Sequence, residues 1–515
     1  MLTAVLTLLT RKWSKIQTRI SLGGSISYVV SVILLATKVF PDNILTYQLS
    51  SWPAPYGISF VADSLSVFML CTTATIFVPA LLFSMKYVDE YGHKISFEPL
   101  LHFMILGVTG AFLTGDLFNL FVWFEVMLIS SYILVGFYGG KQETTATLYY
   151  VVTNLIGSAF MLVAIGGLYA TVGTLNMADI GARLASPDIY NVSVEPVLGL
   201  SALLFCVFAI KAGIAPFQFW VPEAYKAAPA PVSAILAGAA KKVGLYAIIR
   251  LYIGIFSAAE IPISFFGVTG NNVLDFFGPV MLVMAVSSII IGGFGAISRE
   301  TLDEMLSYSS IGQAGFILLP IGLFSINNSL GTAAIAASLV YMLNHAVAKS
   351  MLFLSSGAIK YSTGTDRFDE LGGLMDGSRL LAACFLIGAL SLIGIPPLLG
   401  FFGKLLVFQN AINILPVLLV GILGSILAII YFSRAWNQIF WGKTVEIVRT
   451  EEFKIQIAVL TALALVLVIA GLGSNIVIEA AQNGANAALS QEAYINAVLD
   501  TGANTTEVVK HGGGH

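Results

Sequence analysis

Charged side chains are scarce in this chain. They make up 10% of its 515 residues, against roughly 25% in a soluble domain, while 57% of the residues are hydrophobic. That balance excludes an ordinary water-soluble fold and points to an all-α polytopic membrane protein. Positive charge is not in excess either. The formal net charge is -3, so there is no basic face for nucleic acid. Cysteine is nearly absent: Cys71, Cys206 and Cys384 all lie inside apolar runs, without CxxC or Cys/His spacing. This argues against a disulfide framework and suggests no metal site. There is no Walker loop, and no GxGxxG opens a helix after a strand, so no nucleotide site and no cofactor are expected. Such a chain draws its power from an ion gradient or from a partner.

What is present is apolar sequence in long runs. Stretches of about 18 residues or more can span a bilayer. They fall near 20–40, 61–85, 97–115, 117–138, 148–171, 197–220, 229–256, 275–297, 305–325, 330–356, 380–410, 412–440 and 455–476, thirteen in all. Ahead of them stands MLTAVLTLLT, residues 1–10. At about 1.5 Å per residue it reaches only ~15 Å, half a bilayer. It lacks a basic n-region and a small-residue cleavage site, so it is not a signal peptide. It reads as a first helix cut short by a start placed too far downstream. After about residue 477 the chain turns polar and ends KHGGGH, which reads as a floppy tail rather than a metal site at His511 and His515.

Basic residues set the orientation. When that short run is numbered as the first segment and the loops are sorted alternately, one side receives sixteen basic residues, among them Arg11, Lys15, Lys86, Lys226, Lys360, Lys443 and Arg449. The other receives three, Lys38, Arg183 and Lys510. The rich side is predicted to be cytoplasmic and both termini external, in the cell membrane.

Six basic residues remain inside the runs: Lys211, Lys241, Lys242, Arg250, Lys349 and Lys404, with one prominent acid, Glu125. Buried lysines with a buried glutamate are the pattern of a proton or cation relay. Lys211, in CVFAIKAGIAPFQFWVPEAY, has no charged neighbour for ten residues on either side, and Pro216 and Pro222 follow it. A proline removes a backbone donor and displaces the carbonyl four residues back. A helix break is therefore expected just after Lys211, with carbonyls near Ala212 and Gly213 freed. Irregular backbone at that depth is tolerated only against protein or a watery cavity. The alternative is a snorkelling lysine, against which stands a position about fifteen apolar residues into the run.

Glu125, in LFNLFVWFEVMLISSYILV, is expected to pair with Lys211 or else to hydrogen-bond in the interior as the neutral acid; Asp116 reads as an interfacial cap. Lys242 and Arg250 are eight apart and share a helix face, with Lys241 about 100° away. One of the two lysines is expected to face the interior, Lys242 being favoured, and Arg250 to snorkel. Ala237, Gly238, Ala239 and Ala240 would admit a neighbouring helix closely. His345 and Lys349, four apart, share a face and suit a relay because histidine exchanges protons near neutral pH; a core histidine is the alternative. In GIPPLLGFFGK, Pro396 and Pro397 mark a second broken helix with Lys404 just beyond it. GIAP at 213–216 and GIPP at 394–397 lie five segments apart. An odd displacement inverts the second copy, and interrupted spans in corresponding places point to a transport site. The Ser- and Gln-bearing run 298–313 suits either a hydrogen-bonded water path from the cytoplasm or ordinary helix packing. The loop 363–373 reads as a cytoplasmic turn suited to a salt bridge with a neighbour.

Glu125 in FVWFEVML, Lys211 in AIKAGIAPFQFWVPEAY, Lys242 in AGAAKKVGLYAIIR, YSSIGQ at 308–313, His345 and Lys349 in HAVAKSMLFLSSG, and Lys404 in GIPPLLGFFGK resemble, in order and spacing, the antiporter-like subunits. That family is shared by the Mrp-type multisubunit Na+/H+ antiporters and the membrane arm of respiratory complex I. The wording TGDLFNLFVWFEVMLISSYIL at 114–134 is most similar to the D-type subunit of the Mrp antiporters. The resemblance implies about fourteen helices, two inverted five-helix repeats (97–256 and 275–440) and two broken helices. N-terminal helices (1–96), a C-terminal helix (441–476) and a polar tail (477–515) complete the organisation. It also implies half-channels joined at mid-membrane by Lys211, Lys242, His345 and Lys404, with Glu125 modulating Lys211, and partners that include homologous subunits. On this reading the function is proton translocation in a Na+/H+ antiporter. The alternatives are a pumping subunit of a quinone oxidoreductase or membrane hydrogenase, and a scaffold with vestigial charges.

Overall fold

The computed structural model describes residues 1–265, 268–442 and 450–500. Lys443, Arg449, Lys510, His511 and His515 lie outside the described residues. The helices, in order, are α1 Leu2–Leu9, α2 Ser14–Val39, α3 Ser64–Tyr87, α4 Glu90–Lys94, α5 Phe97–Leu113, α6 Leu117–Val135, α7 Lys141–Val172, α8 Met177–Ala185, α9 Pro187–Tyr190, α10 Glu195–Ala212, α11 Trp220–Ala227, α12 Ala230–Ile235 and α13 Lys241–Ile248. There follow α14 Val273–Ile297, α15 Leu302–Ile326, α16 Gly331–Thr363, α17 Leu374–Gly377, α18 Arg379–Ile393, α19 Leu399–Ala411, α20 Leu415–Phe440, α21 Glu451–Leu472 and α22 Ser474–Leu489. Two antiparallel hairpins, β1 Leu45–Gln48 with β2 Ser59–Ala62 and β3 Glu260–Phe265 with β4 Val268–Asn272, sit in loops.

Each of the thirteen apolar runs carries a helix. Eleven helical spans among the described residues are long and apolar enough to cross a membrane, and the other two runs form the shorter apolar helices α5 and α18. Their starts are fixed by side chains that satisfy the free amides of a first turn. Asp63 and Ser66 form a reciprocal capping box on α3, and Asp116 accepts from the Asn119 amide at 2.7 Å on α6, as the cap reading predicted.

Both expected breaks are present, but glycine sets them rather than proline. Gly213 ends α10 with φ +57° and Gly394 ends α18 with φ +96°. The next amides, of Ile214 and Ile395, reach back five residues to the carbonyls of Ala209 (3.1 Å) and Leu390 (3.0 Å). This is a glycine cap in the left-handed region, closed by the bond from the following residue. The Gly-Ile echo is thus the same cap made twice. A proline comes three residues after each glycine, and after Gly394 a second one comes two residues on, where helix could not resume at once.

Residues 230–253 run as one helix through two π-helical turns, Leu236–Ala240 and Ile249–Ile253, and every residue of it is buried. Two glycines let neighbours press against it. A Cβ at Gly244 would lie 2.7 Å from the Phe208 carbonyl oxygen on α10, and one at Gly238 would lie 2.2 Å from Ser350 Oγ on α16. The small-residue expectation for 237–240 is met.

The chain beyond 477 is not a floppy tail as far as residue 500. Helix α22 continues from α21, and residues 491–500 are helical again. Ala481, Ala485, Ala488, Tyr494 and Val498 are buried. A polar composition concealed a stripe of alanines narrow enough to pack on the bundle.

Candidate functional site

The buried charges fall along one polar column through the helices. At one end, Glu125 on α6 is half-buried and its Oε1 accepts a 2.5 Å hydrogen bond from Ser158 Oγ on α7. Lys211 Nζ, in the last turn of α10, donates to Ser158 Oγ and to the Asn154 carbonyl, both at 3.3 Å. It lies 5.8 Å from the centre of the Phe124 ring. Glu125 and Lys211 are therefore neighbours through a hydroxyl and not a direct ion pair, which corrects the expected pairing. The α7 serine stands between them because Ser158 and Asn154, one turn apart, share the face turned toward α10. Beyond the break, Trp220 Nε1 donates to the Ile210 carbonyl at 2.8 Å.

Lys241 and Lys242 are both buried, each 1% exposed. The expectation that only one faces inward is corrected, and the reason is that the helix has no outer face. Lys241 Nζ donates to the Ser310 carbonyl on α15 at 3.0 Å and lies beside the first break; a Cβ at Gly213 would be 3.6 Å from it. Lys242 Nζ donates to the Ala237 carbonyl, across the π-turn, and lies 2.5 Å from His345 Nδ1 on α16. His345 Nε2 is buried with no hydrogen-bond partner among the described residues. One turn on, Lys349 Nζ donates to the Leu306 carbonyl of α15 at 2.8 Å.

At the other end, Lys404 on α19 donates to the Ile393 carbonyl, beside the second glycine cap, and to Ser425 Oγ on α20, both at 3.0 Å. Its Nζ sits 4.7 Å from the centre of the Phe316 ring. Polar side chains on α15, α16, α18 and α20, the helices around Lys404 and His345, bond to one another. Gln313 Nε2 donates to Tyr431 Oη at 3.2 Å, Tyr341 Oη donates to Gln313 Oε1, and Ser309 and Tyr431 hydroxyls lie 2.7 Å apart. Ser391 Oγ donates to Asn344 Oδ1 at 2.6 Å. The run 298–313 supplies Ser309 and Gln313 to these hydrogen bonds. Tyr341, Asn344, Ser391, Tyr431 and Ser158 escaped the sequence reading, since each is one polar residue in an apolar run.

None of the five buried lysines has a carboxylate within ion-pair distance among the described residues. Backbone carbonyls, hydroxyls, ring faces and one imidazole are their partners. Such groups solvate an ammonium without neutralising it, so each lysine can hold or release a proton without breaking an ion pair. Arg250 behaves differently. It does not snorkel: its Nη2 lies 2.7 Å from Asp63 Oδ1, and both side chains are buried. Carboxylates also gather at the start of α15. Asp303 Oδ1 accepts from Ser356 at 2.6 Å, Lys360 approaches Asp303 and Asp366 at 3.6 and 3.5 Å, and Lys226 pairs with Glu304 at 2.6 Å. A cavity of about 540 Å³ lined by Lys141, Glu223, Lys226, Lys360 and Asp366 opens beside them. Arg367 meets Asp369 at 3.1 Å and Glu370 at 3.6 Å within the 363–373 loop, and reaches Glu300, ahead of α15, at 3.5 Å.

Comparison with known proteins gives these features relatives. The family described as NADH:quinone oxidoreductase/Mrp antiporter, transmembrane, matches residues 114–430. A protein named as the D-type subunit of a Na(+)/H(+) antiporter, from Alkalihalophilus pseudofirmus, is 33% identical over 499 residues, 96% of each chain. Its namesake from Bacillus subtilis is 33% identical over 482 residues, 93% of this chain and 92% of that one. Among solved structures, a chain of the Mrp complex from Dietzia sp. superposes with a TM-score of 0.81 at 26% identity, covering 97% of this chain and 100% of that one. A chain of a membrane-bound sulfane sulfur reductase, an archaeal respiratory membrane complex, gives 0.84 at 25% identity, covering 97% and 98%. This multi-pass membrane protein belongs to the NADH:quinone oxidoreductase/Mrp antiporter family.

Proposed function

We propose that the chain is the proton-translocating subunit of a multisubunit Na+/H+ antiporter, and that Glu125, Lys211, Lys242, His345, Lys349 and Lys404 carry the proton. The observation that carries this reading is the contact between Lys242 Nζ and His345 Nδ1, 2.5 Å apart. Both side chains are buried, and neither has a carboxylate within ion-pair distance among the described residues. Two full positive charges at that distance repel by about 7 kcal/mol even at an effective dielectric of about 20. The pair therefore holds a shared proton between two nitrogens, and a second cation arriving on either side displaces it. Lys211, bridged to Glu125 by Ser158, receives a charge at one end of the column. Lys404, resting on the carbonyl of Ile393, discharges it at the other. The hydrogen-bonded residues around His345 and Lys404 supply the intervening steps.

The same reading takes about fourteen helices in two inverted five-helix repeats, 97–256 and 275–440, with the two glycine-capped breaks in corresponding positions. It puts both termini outside the cell membrane, and other subunits, homologous ones among them, beside the chain. The likeness to a respiratory complex chain favours one second reading, a pumping subunit driven by redox chemistry in other chains.

The deciding experiment measures Na+-dependent proton exchange in inverted membrane vesicles carrying the whole complex, energised by an unrelated pump without redox substrate. Wild type is compared with Lys211→Ala and Lys404→Ala. Exchange lost in both variants, in assembled complexes, supports the relay. Exchange absent from wild type but replaced by substrate-driven proton uptake moves the chain to the redox reading. Exchange that survives both substitutions takes the relay out of this subunit.

A further inference from the structure

Among the described residues, Arg250 and Asp63 form a buried ion pair near the column that the relay does not use. Arg250 lies eight residues beyond Lys242 on the same helix, about 12 Å along its axis. Asp63 comes from the N-cap of α3, where its Oδ1 also takes the Ser66 amide at 2.9 Å. Its Oδ2 is buried with no hydrogen-bond partner among the described residues. Arg250 Nε donates to Tyr246 Oη at 3.2 Å, and Tyr246 Oη donates to the Phe112 carbonyl at 2.8 Å. The guanidinium is thus tied to α3 and, through Tyr246, to α5.

The C-terminal residues complete the enclosure. Tyr494 is buried, and its ring centre lies 5.0 Å from the guanidinium carbon. Gln491 Nε2 donates to the Ile255 carbonyl at 3.2 Å, and Gln48 Nε2 on β1 donates to the Val498 carbonyl at 3.3 Å. The helical turns at 491–500 therefore lie over the pair, pinned on two sides.

Stability alone does not account for this arrangement. A buried ion pair is often no better than apolar side chains of the same volume, and the half-satisfied Asp63 carboxylate makes this one poorer than most. Its location is more telling. It lies two helical turns beyond Lys242, to the side of the column, where the β1–β2 hairpin and the C-terminal helices pack over it. Arg250 also sits in a π-helical turn, a feature frequent at functional sites. A fixed guanidinium across a narrow polar path raises the energy of any cation or proton passing it.

We propose that Arg250, held by Asp63 and covered by Tyr494, is the charged seal at the external end of the proton path, and that protons leave or enter there only when the pair separates. This rests on the proton-translocating reading and its orientation.

The test uses proteoliposomes of the complete complex with an internal pH dye. An imposed pH gradient is followed first without Na+ and then with Na+ added. Arg250→Gln and Asp63→Asn should each dissipate the gradient roughly tenfold faster than wild type before Na+ is added, while Arg250→Lys should hold it as wild type does. If the neutralised chains do not assemble, Tyr494 decides. Tyr494→Ala, which leaves both charges in place, should leak severalfold faster than wild type and Tyr494→Phe should not. Assembled neutralised variants as tight as wild type overturn the seal; so does a tight Tyr494→Ala where only that variant assembles. Wild-type complex that shows no Na+-dependent exchange fails the antiporter reading instead, and the leak rates are then read separately.

Discussion

Lys242 and His345, 103 residues apart in the chain, meet nitrogen to nitrogen at 2.5 Å in the buried interior. The contact is made possible by Gly238, whose missing side chain lets α16 lie against the first π-turn. A lysine and a histidine so placed can exchange one proton but cannot both be charged cheaply. Replacing His345 by Gln keeps a polar side chain and removes the exchanging nitrogen. His345→Gln should lower Na+-dependent proton exchange by about 100-fold, the usual worth of a positioned acid–base group, with complex assembly unchanged. Vesicle exchange rates and a blot for the assembled complex check this.

The Ser158 hydroxyl bridges Glu125 and Lys211. Ser158→Ala removes one hydrogen bond of about 1 kcal/mol on each side and should slow exchange by up to roughly thirtyfold. Ser158→Thr keeps the hydroxyl and should stay near wild type. Initial exchange rates at matched expression separate the two.

The glycine caps make a prediction about stability. At Gly213 and Gly394 the backbone is left-handed, which costs an L-residue roughly 1–2 kcal/mol. At Gly213 a Cβ would also meet Val221 Cγ2 at 2.4 Å, and at Gly394 it would meet Lys404 Cδ at 3.0 Å. Gly213→Ala should lower the melting temperature of the purified complex more than Gly394→Ala. The latter should impair exchange through a displaced Lys404. Thermal unfolding followed by size-exclusion chromatography measures the first, vesicle assays the second.

A pH dependence is expected at the loop before α5. His93 Nδ1 lies 2.5 Å from Glu98 Oε1. Burial alone pulls this imidazole down, but the hydrogen bond and negative charge of Glu98 outweigh it and hold His93 above its ordinary 6.5. A raised value in the folded state means that the pair stabilises the loop fully below about 6.5 and loses that contribution as pH rises through the folded value. Limited proteolysis within residues 88–96 should therefore accelerate between mildly acidic and alkaline pH in wild type. In His93→Gln the rate should be nearly flat.

Much of this was legible in sequence because a bilayer makes apolar length conspicuous. The thirteen runs and the charged residues of the column stood out for that reason, and a lysine such as Lys211 needs no partner in view to be noticed. The partners were not legible. Ser158 and the Leu306 carbonyl come from other helices, and nothing in local spacing marks them. Arg250 looked like an end-of-helix residue because Asp63, its counter-ion, precedes it by 187 residues. Proline drew attention at the two breaks although glycine makes them, since a left-handed cap is a matter of one dihedral and leaves no periodicity. The helices after 473 were hidden by alanine, which packs but hardly registers as apolar.

The helix through 230–253 is enclosed by protein on every side. A rod clamped along its whole length cannot swing or tilt without opening voids around it, and close-packed interiors resist that strongly. Alternating access by rocking one half of the molecule against the other is therefore a poor fit for this stretch. On the proton-translocating reading, what changes there is the occupancy of protons on Lys241, Lys242 and their partners, and with it the local electric field, so that charge moves while the scaffold stands still.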